Sequence, residues 1–230
     1  MNFIKEQYPN AVTVKELEGR ITADLSVNGF LLSRTTWGTS LCSDEVTNTF
    51  NVFSPMFVGP GPFRFGGISG LPFTGKTGVL AFASHIPSGG NAFILYGPHI
   101  GISETGVVGE ILRQQQRQNT TCCGSLIAGL DSIKEPLELT PVDLTDPQQN
   151  RVKQILYSKR DRILSAEDPI KEATEIAYKK IHSKIHDIVM LSKEAFVGTK
   201  VYMMGGIVIN TDWDKEDYFE VRDTKLLDFS

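Results

Sequence analysis

The run Ala92-Phe93-Ile94-Leu95-Tyr96 constrains the fold more than any other stretch of this chain. It is closed in front by Pro87-Ser88-Gly89-Gly90-Asn91 and behind by Gly97-Pro98. An apolar, aromatic-rich run this short, bounded by turn formers, reads as a buried strand. Thr199 to Met204 and Gly206 to Ile209 look like further strand material. Between and around them the periodicity changes. Val12, Val14, Leu17 and Ile21 form one face of a short N-terminal helix, and Asp44 to Phe53 reads as another helix. Thr145-Asp146-Pro147 is a helix start, and Val152, Ile155, Leu156 and Ile163 recur at helical spacing from Gln148 to Leu164. Asp168-Pro169 starts a second helix reaching about Lys193, with Ile170, Ala173, Ile176, Ala177, Ile181, Ile185 and Val189 on its apolar stripe. An acidic tail from Trp213 to Phe229 closes the chain. Strands alternating with helices predict one α/β domain over residues 1–230, with a mostly parallel central sheet flanked by helices. A helical segment at about 1–25 and the helical pair at about 146–193 would pack on that same domain.

Bulk properties exclude several function classes. The 230 residues are 40% hydrophobic, enough for a substantial core. A formal charge of −4 argues against a nucleic-acid surface, which needs clustered Lys and Arg. Three cysteines cannot pair completely, which suits a reducing compartment with metal-binding or buried thiols. The first residues lack the apolar core of a signal peptide, and no stretch is long and apolar enough to span a bilayer. A cytoplasmic protein without membrane partners is expected, or one in an organelle such as the plastid if a targeting segment has been removed.

The chemistry-bearing residues are few and sit in turn-like segments. One cysteine lies in Cys42-Ser43-Asp44 and two in Cys122-Cys123-Gly124, and one of the four histidines follows the buried strand in Gly97-Pro98-His99. Two thiolates, an imidazole and a nearby carboxylate are what a catalytic zinc site with an open fourth position requires. His99 falls at the carboxyl end of a strand, where ligands of open α/β sheets commonly bind. Adjacent side chains diverge, so one cysteine of the pair would face a metal and the other would be buried. Gly124 permits close backbone approach and favours Cys123. Taken singly, each thiol reads equally well as a small buried hydrophobe and His99 as a satisfied core histidine.

Three other patterns compete. Gly70-Leu71-Pro72-Phe73-Thr74-Gly75-Lys76-Thr77 satisfies the P-loop expression in full. Its upstream segment is too glycine-rich for a central strand, however, and Pro72 has no N–H to offer a phosphate. A nucleotide phosphohydrolase is therefore the minor alternative, and a glycine-rich loop near a buried site the favoured one. His182 and His186 stand i,i+4 on the long C-terminal helix, but Lys179, Lys180 and Lys184 share it, which reads as a solvated face. Arg113-Gln114-Gln115-Gln116-Arg117 reads by default as a polar loop or helix end.

The middle segment carries a family resemblance. Phe65-Gly66-Gly67-Ile68-Ser69-Gly70-Leu71-Pro72-Phe73-Thr74-Gly75-Lys76-Thr77, His85-Ile86-Pro87-Ser88-Gly89-Gly90-Asn91, Tyr96-Gly97-Pro98-His99-Ile100-Gly101, Val108-Gly109 and Cys122-Cys123-Gly124-Ser125 occur in that order. They closely resemble the low-CO2-inducible protein B family, regarded as carbonic anhydrases related to the β class and also called the θ class. The likeness is dense over about residues 35–130. It implies a zinc site on Cys42, His99 and Cys123. It implies reversible hydration of CO2 to bicarbonate by zinc-bound hydroxide, in a homodimer with the metal near the interface. Asp44 matches the Cys-x-Asp element of the β class. The arginine that pairs with that aspartate normally follows closely, where this chain has Val46; Arg113 is the first replacement and Arg34 the second. Phe63, Phe65 and Phe73 are candidates for an apolar CO2 pocket, and His85 for a proton shuttle. Two thiolates cancel the charge of the zinc, so the hydroxide form needs mildly alkaline pH. The family includes inactive members, so a catalytically silent zinc protein binding inorganic carbon or a protein partner is the alternative reading.

Overall fold

The computed structural model describes residues 3–136 and 141–230. The chain opens with α1 (Phe3–Gln7), β1 (Val12–Thr13) and α2 (Val14–Val27). Thr13 starts α2 with a reciprocal capping box to Glu16, satisfying two donors that a helix start leaves unpaired. β2 (Thr35–Ser40) leads to a 3-10 segment, Glu45–Met56, capped by Asp44 where a helix was expected, and then to β3 (Val58–Arg64). The sequence continues through α3 (Gly75–Ser84), β4 (Asn91–Tyr96), β5 (His99–Gly101), the small ribbon β6 (Glu110–Ile111) and β7 (Thr120–Thr121), and α4 (Gly124–Ser132). It ends with α5 (Pro147–Tyr157), α6 (Arg160–Leu164), α7 (Pro169–Leu191), β8 (Lys200–Asn210) and β9 (Tyr218–Asp228). The periodicity from 148 to 164 thus spans two helices, with the break at Ser158-Lys159.

Among the described residues the main sheet has the order β1-β9-β8-β4-β2-β3, with β5 also pairing β8. β2, β3, β4, β5 and β8 run parallel, while β9 joins β8 and β1 antiparallel. The sheet is therefore α/β and mixed: a parallel centre with an antiparallel flank. That flank corrects the reading of residues 213–229 as an acidic tail. Phe219 is fully buried, while residues 222–226 are exposed, so charge masks the strand.

β4 shows how the core is divided. Ala92, Ile94 and Tyr96 face a cluster with Phe65, Phe82 and the stripe of α7; Phe93 and Leu95 face Leu17, Ile21, Trp37, Phe50 and Phe53 on the other side. Two-residue alternation with both faces apolar is what a central parallel strand requires. β8 is long enough for β4 and β5 to pair with it end to end, Tyr96 opposite Gly205 and His99 opposite Val208. At the joint, a Cβ on Gly97 would stand 1.8 Å from the carbonyl oxygen of Gly206, so only glycine fits. This joint places His99 beyond the carboxyl end of β4, beside the end of β2.

Candidate metal centre

β2 and β4 are neighbours and parallel, so Cys42 and His99, just past their ends, emerge on the same edge of the sheet. Cys123 arrives from across the cleft as the N-cap of α4. Gly101 N–H donates to the Cys122 carbonyl, and Cys122 N–H to that of Gly109, which straps the cysteine pair to β5. Cys42 Sγ, Cys123 Sγ and a ring nitrogen of His99 lie within 4.8 Å of one another, all buried. Tetrahedral zinc with two sulfurs and a nitrogen needs ligand separations of about 3.5–3.8 Å, which small side-chain adjustments supply. His99 Nε2 is buried and has no hydrogen-bond partner among the described residues. A buried, unpaired imidazole nitrogen facing two thiols is an arrangement that a metal satisfies and a plain core does not.

The thiols divide one hydrogen bond between them. That bond to Cys123, together with burial, pushes the Cys42 thiol up, and the same bond pulls Cys123 down, helped by amides of α4. Burial opposes a charge on His99, yet Cys122 and Cys42 hold its pKa well above the ordinary histidine value.

Asp44 and Arg113 meet beside the cluster. Arg113 Nη2 donates to Asp44 Oδ1 and Oδ2 at 3.2 and 2.9 Å, and its Nε reaches Glu45 at 3.2 Å. Asp44 Oδ2 lies 4.0 Å from His99 Nε2. Burial works against the charge of Asp44, but His99, Glu45 and Arg113 together hold its carboxyl below the usual range. Arg113 follows β6 and is steadied from β8's continuation: Asp212 accepts from the amides of Leu112 and Glu104, and Trp213 N–H donates to Leu112. A cavity of about 610 Å³ opens beside this pair, bordered by Glu45, Val46, Ile111, Arg113 and Trp213. A second, of about 340 Å³, reaches Cys42 past Leu41, Thr47, Asn48 and Arg64.

Several contributing residues were invisible in the sequence. Ser69, fully buried at a positive φ of 57°, donates its amide to Cys42 Sγ at 3.1 Å, and its hydroxyl lies 3.9 Å from Cys123 Sγ. The glycine-rich loop between β3 and α3 therefore turns an amide toward a cysteine sulfur, and Gly70 packs on the Gly97 carbonyl. Asn210, at the end of β8, faces His99 Nδ1 at 2.9 Å. Only the fold brings residues 69 and 210 to residues 42, 99 and 123; the one local signal was the turn-rich sequence around Ser69.

Other candidates lie elsewhere. His85 is exposed at the end of α3, its carbonyl bonded to Thr36 near the start of β2. It is about 20 Å along the strand from Cys42 in the same chain. Its ring packs on Phe63, and Phe63 and Phe65 pack on Phe82, so these side chains belong to the core beside α3 and border neither cavity. Phe73, half-buried against the same core, borders neither cavity as well. Arg34 bonds the Ser88 carbonyl, at the opposite end of β2 from Asp44. His182 pairs with Tyr96 at 2.8 Å and His186 with Lys225 at 2.8 Å, two separate contacts and no clamp.

Residues 11–228 match the family described as limiting CO2-inducible proteins B/C, beta carbonic anhydrases. The fold is similar to the crystal structure of PtLCIB4, a homolog of the limiting CO2-inducible protein LCIB. That match has 31% identity and a TM-score of 0.89, covering 99% of this chain and 95% of the other. A point mutant of PtLCIB4 matches at 31% identity and a TM-score of 0.91, over 99% and 93% of the two chains. LCIB itself shares the fold at 19% identity and a TM-score of 0.71, over 98% and 97%. No curated protein matches the chain. No helix among the described residues is long and apolar enough to cross a membrane.

Proposed function

Because the chain belongs to the limiting CO2-inducible protein B/C family of β-carbonic-anhydrase-like proteins, we propose that it is a zinc-dependent carbonic anhydrase interconverting CO2 and bicarbonate. The observation that carries this reading is the unpaired Nε2 of His99, buried between Cys42 and Cys123 and 4.0 Å from the Asp44 carboxylate. Cys42, His99 and Cys123 would hold the ion. Zinc so held supplies a water of lowered pKa and a Lewis acid.

The remaining roles belong to the chain. Arg113 keeps Asp44 charged and turned along the guanidinium, so that an acceptor-only oxygen faces the reaction space. Asp44 can then accept the hydrogen of the attacking oxygen and aim its lone pair at the carbon of CO2. The same contact would keep Asp44 with Arg113 rather than among the residues that would hold the ion. Ser69 N–H offers a hydrogen bond to the Cys42 sulfur, which moderates its charge. CO2 would enter by the cavities beside Arg113 and Cys42, and proton export would pass to buffer rather than to His85 of the same chain. The three cysteines are free and buried, in keeping with a reducing compartment, in our reading the cytoplasm. A homodimer is the assembly we expect, which sedimentation equilibrium measures.

Stopped-flow CO2 hydration at about pH 8.5, on protein of known zinc content, tests the proposal, because thiolate-held zinc should act best above neutrality. About one zinc per chain with chelator-sensitive turnover is the expected result. Zinc without turnover supports instead a silent site closed by Asp44, and absence of zinc refutes the metal reading.

A further inference from the structure

We infer that Asn210, oriented by Asp217, is the positioning residue that decides which nitrogen of His99 faces the metal. The inference rests on the zinc reading above and concerns residues that reading does not use.

The amide of Asn210 cannot be turned either way at will. Its Nδ2 donates to Asp217 Oδ2 at 2.9 Å and to the Val46 carbonyl at 3.3 Å. Both partners are acceptors, so a flipped amide would set its oxygen against a carboxylate and a carbonyl. Asp217 is itself fixed: its Oδ1 accepts from Thr211 N–H at 2.9 Å, and the residue is buried. Asn210 Oδ1 must therefore face His99 Nδ1, at 2.9 Å. An amide oxygen only accepts, so Nδ1 carries the proton. In a neutral imidazole that leaves the lone pair on Nε2, the nitrogen that lies unpaired toward Cys42 and Cys123. Cys122 Sγ donates to the same amide oxygen at 3.8 Å and lies 3.4 Å from Nδ1. It thus sits on the far side of the ring from the ligand cluster. The order Asp217, Asn210, His99 runs from the residue just before β9 through the end of β8 to β5, so the paired strands on either side supply the rigidity.

Zinc affinity measured by chelator competition, together with long-range 1H–15N spectra of His99 in the zinc-loaded protein, tests this. The wild type should coordinate through Nε2 and show a slowly exchanging Nδ1 proton. Asn210→Ala should weaken zinc binding by about 10–100-fold and expose the Nδ1 proton to fast exchange. Asp217→Ala, which frees the amide to flip, should weaken it by a smaller factor. Coordination through Nδ1 in the wild type overturns the inference without any variant. So does Asn210→Ala with a protected proton and zinc affinity within about twofold of wild type. A wild type that binds no zinc removes the premise and the inference together, which separates that failure from the other two.

Discussion

Arg113→Ala isolates the electrostatic design of the site. The arginine makes two charge-assisted contacts to Asp44, at 3.2 and 2.9 Å, with side chains only 17% and 15% exposed. Its contact to Glu45 counts for little, since that carboxylate is 69% exposed. Removing one partner of a fully buried pair costs about 3–5 kcal/mol. With this residual exposure, about 2 kcal/mol is expected. For a chain of this size that lowers Tm by about 4–8 °C. The pH dependence identifies the cause. Asp44 has a folded-state pKa held below its unfolded value, so its contribution is present above the ordinary carboxylate value and lost as pH falls through the folded one. In the variant burial still opposes the charge but the arginine no longer offsets it. Asp44 then protonates earlier, and the gap to wild type narrows as pH falls toward about 4. The assay is thermal unfolding of wild type, Arg113→Ala, Asp44→Asn and the double variant from pH 7 to pH 4. A gap of equal size at both ends, or no coupling in the cycle at pH 7, would falsify this account of the pair.

Three further outcomes are expected. Cys123→Ser should lose zinc and turnover together while Cys122→Ser keeps the metal, as read by zinc analysis; equal loss in both contradicts the ligand set. Asp44→Asn should keep zinc but lose about 100-fold or more in CO2 hydration, and near-wild-type turnover would remove Asp44 from the chemistry. Gly97→Ala should fail to fold or melt far below wild type in circular dichroism, because its Cβ would overlap the Gly206 carbonyl at 1.8 Å.

Much of the site's environment was legible because it is local. The strand 91–96, the capped start of α7 and the periodic stripes follow from spacing and turn chemistry that any 10- to 20-residue window displays. β9 was not, because its outer half is exposed and charged, although its partner β8 directly precedes it. Two of the aromatic candidates border neither cavity for a related reason. Phe63 and Phe65 lie close to the motifs in sequence, but strand alternation turns them into the core of α3.

By itself the sequence determined which atoms were available: three thiols, few imidazoles, a carboxylate two residues from the first thiol, and glycines where backbones must approach. It determined the α/β class through periodicity. The family resemblance offered Arg113 and Arg34 for Asp44 in place of Val46, and the tertiary structure decided for Arg113, 69 residues away. It likewise decided that Ser69 serves Cys42 and that Asn210 and Asp217 orient His99. The Ser69–Cys42 and His99–Asn210 hydrogen bonds, across 27 and 111 residues, depend on strand register and crossover geometry, and register is a property of the assembled sheet that no single window contains.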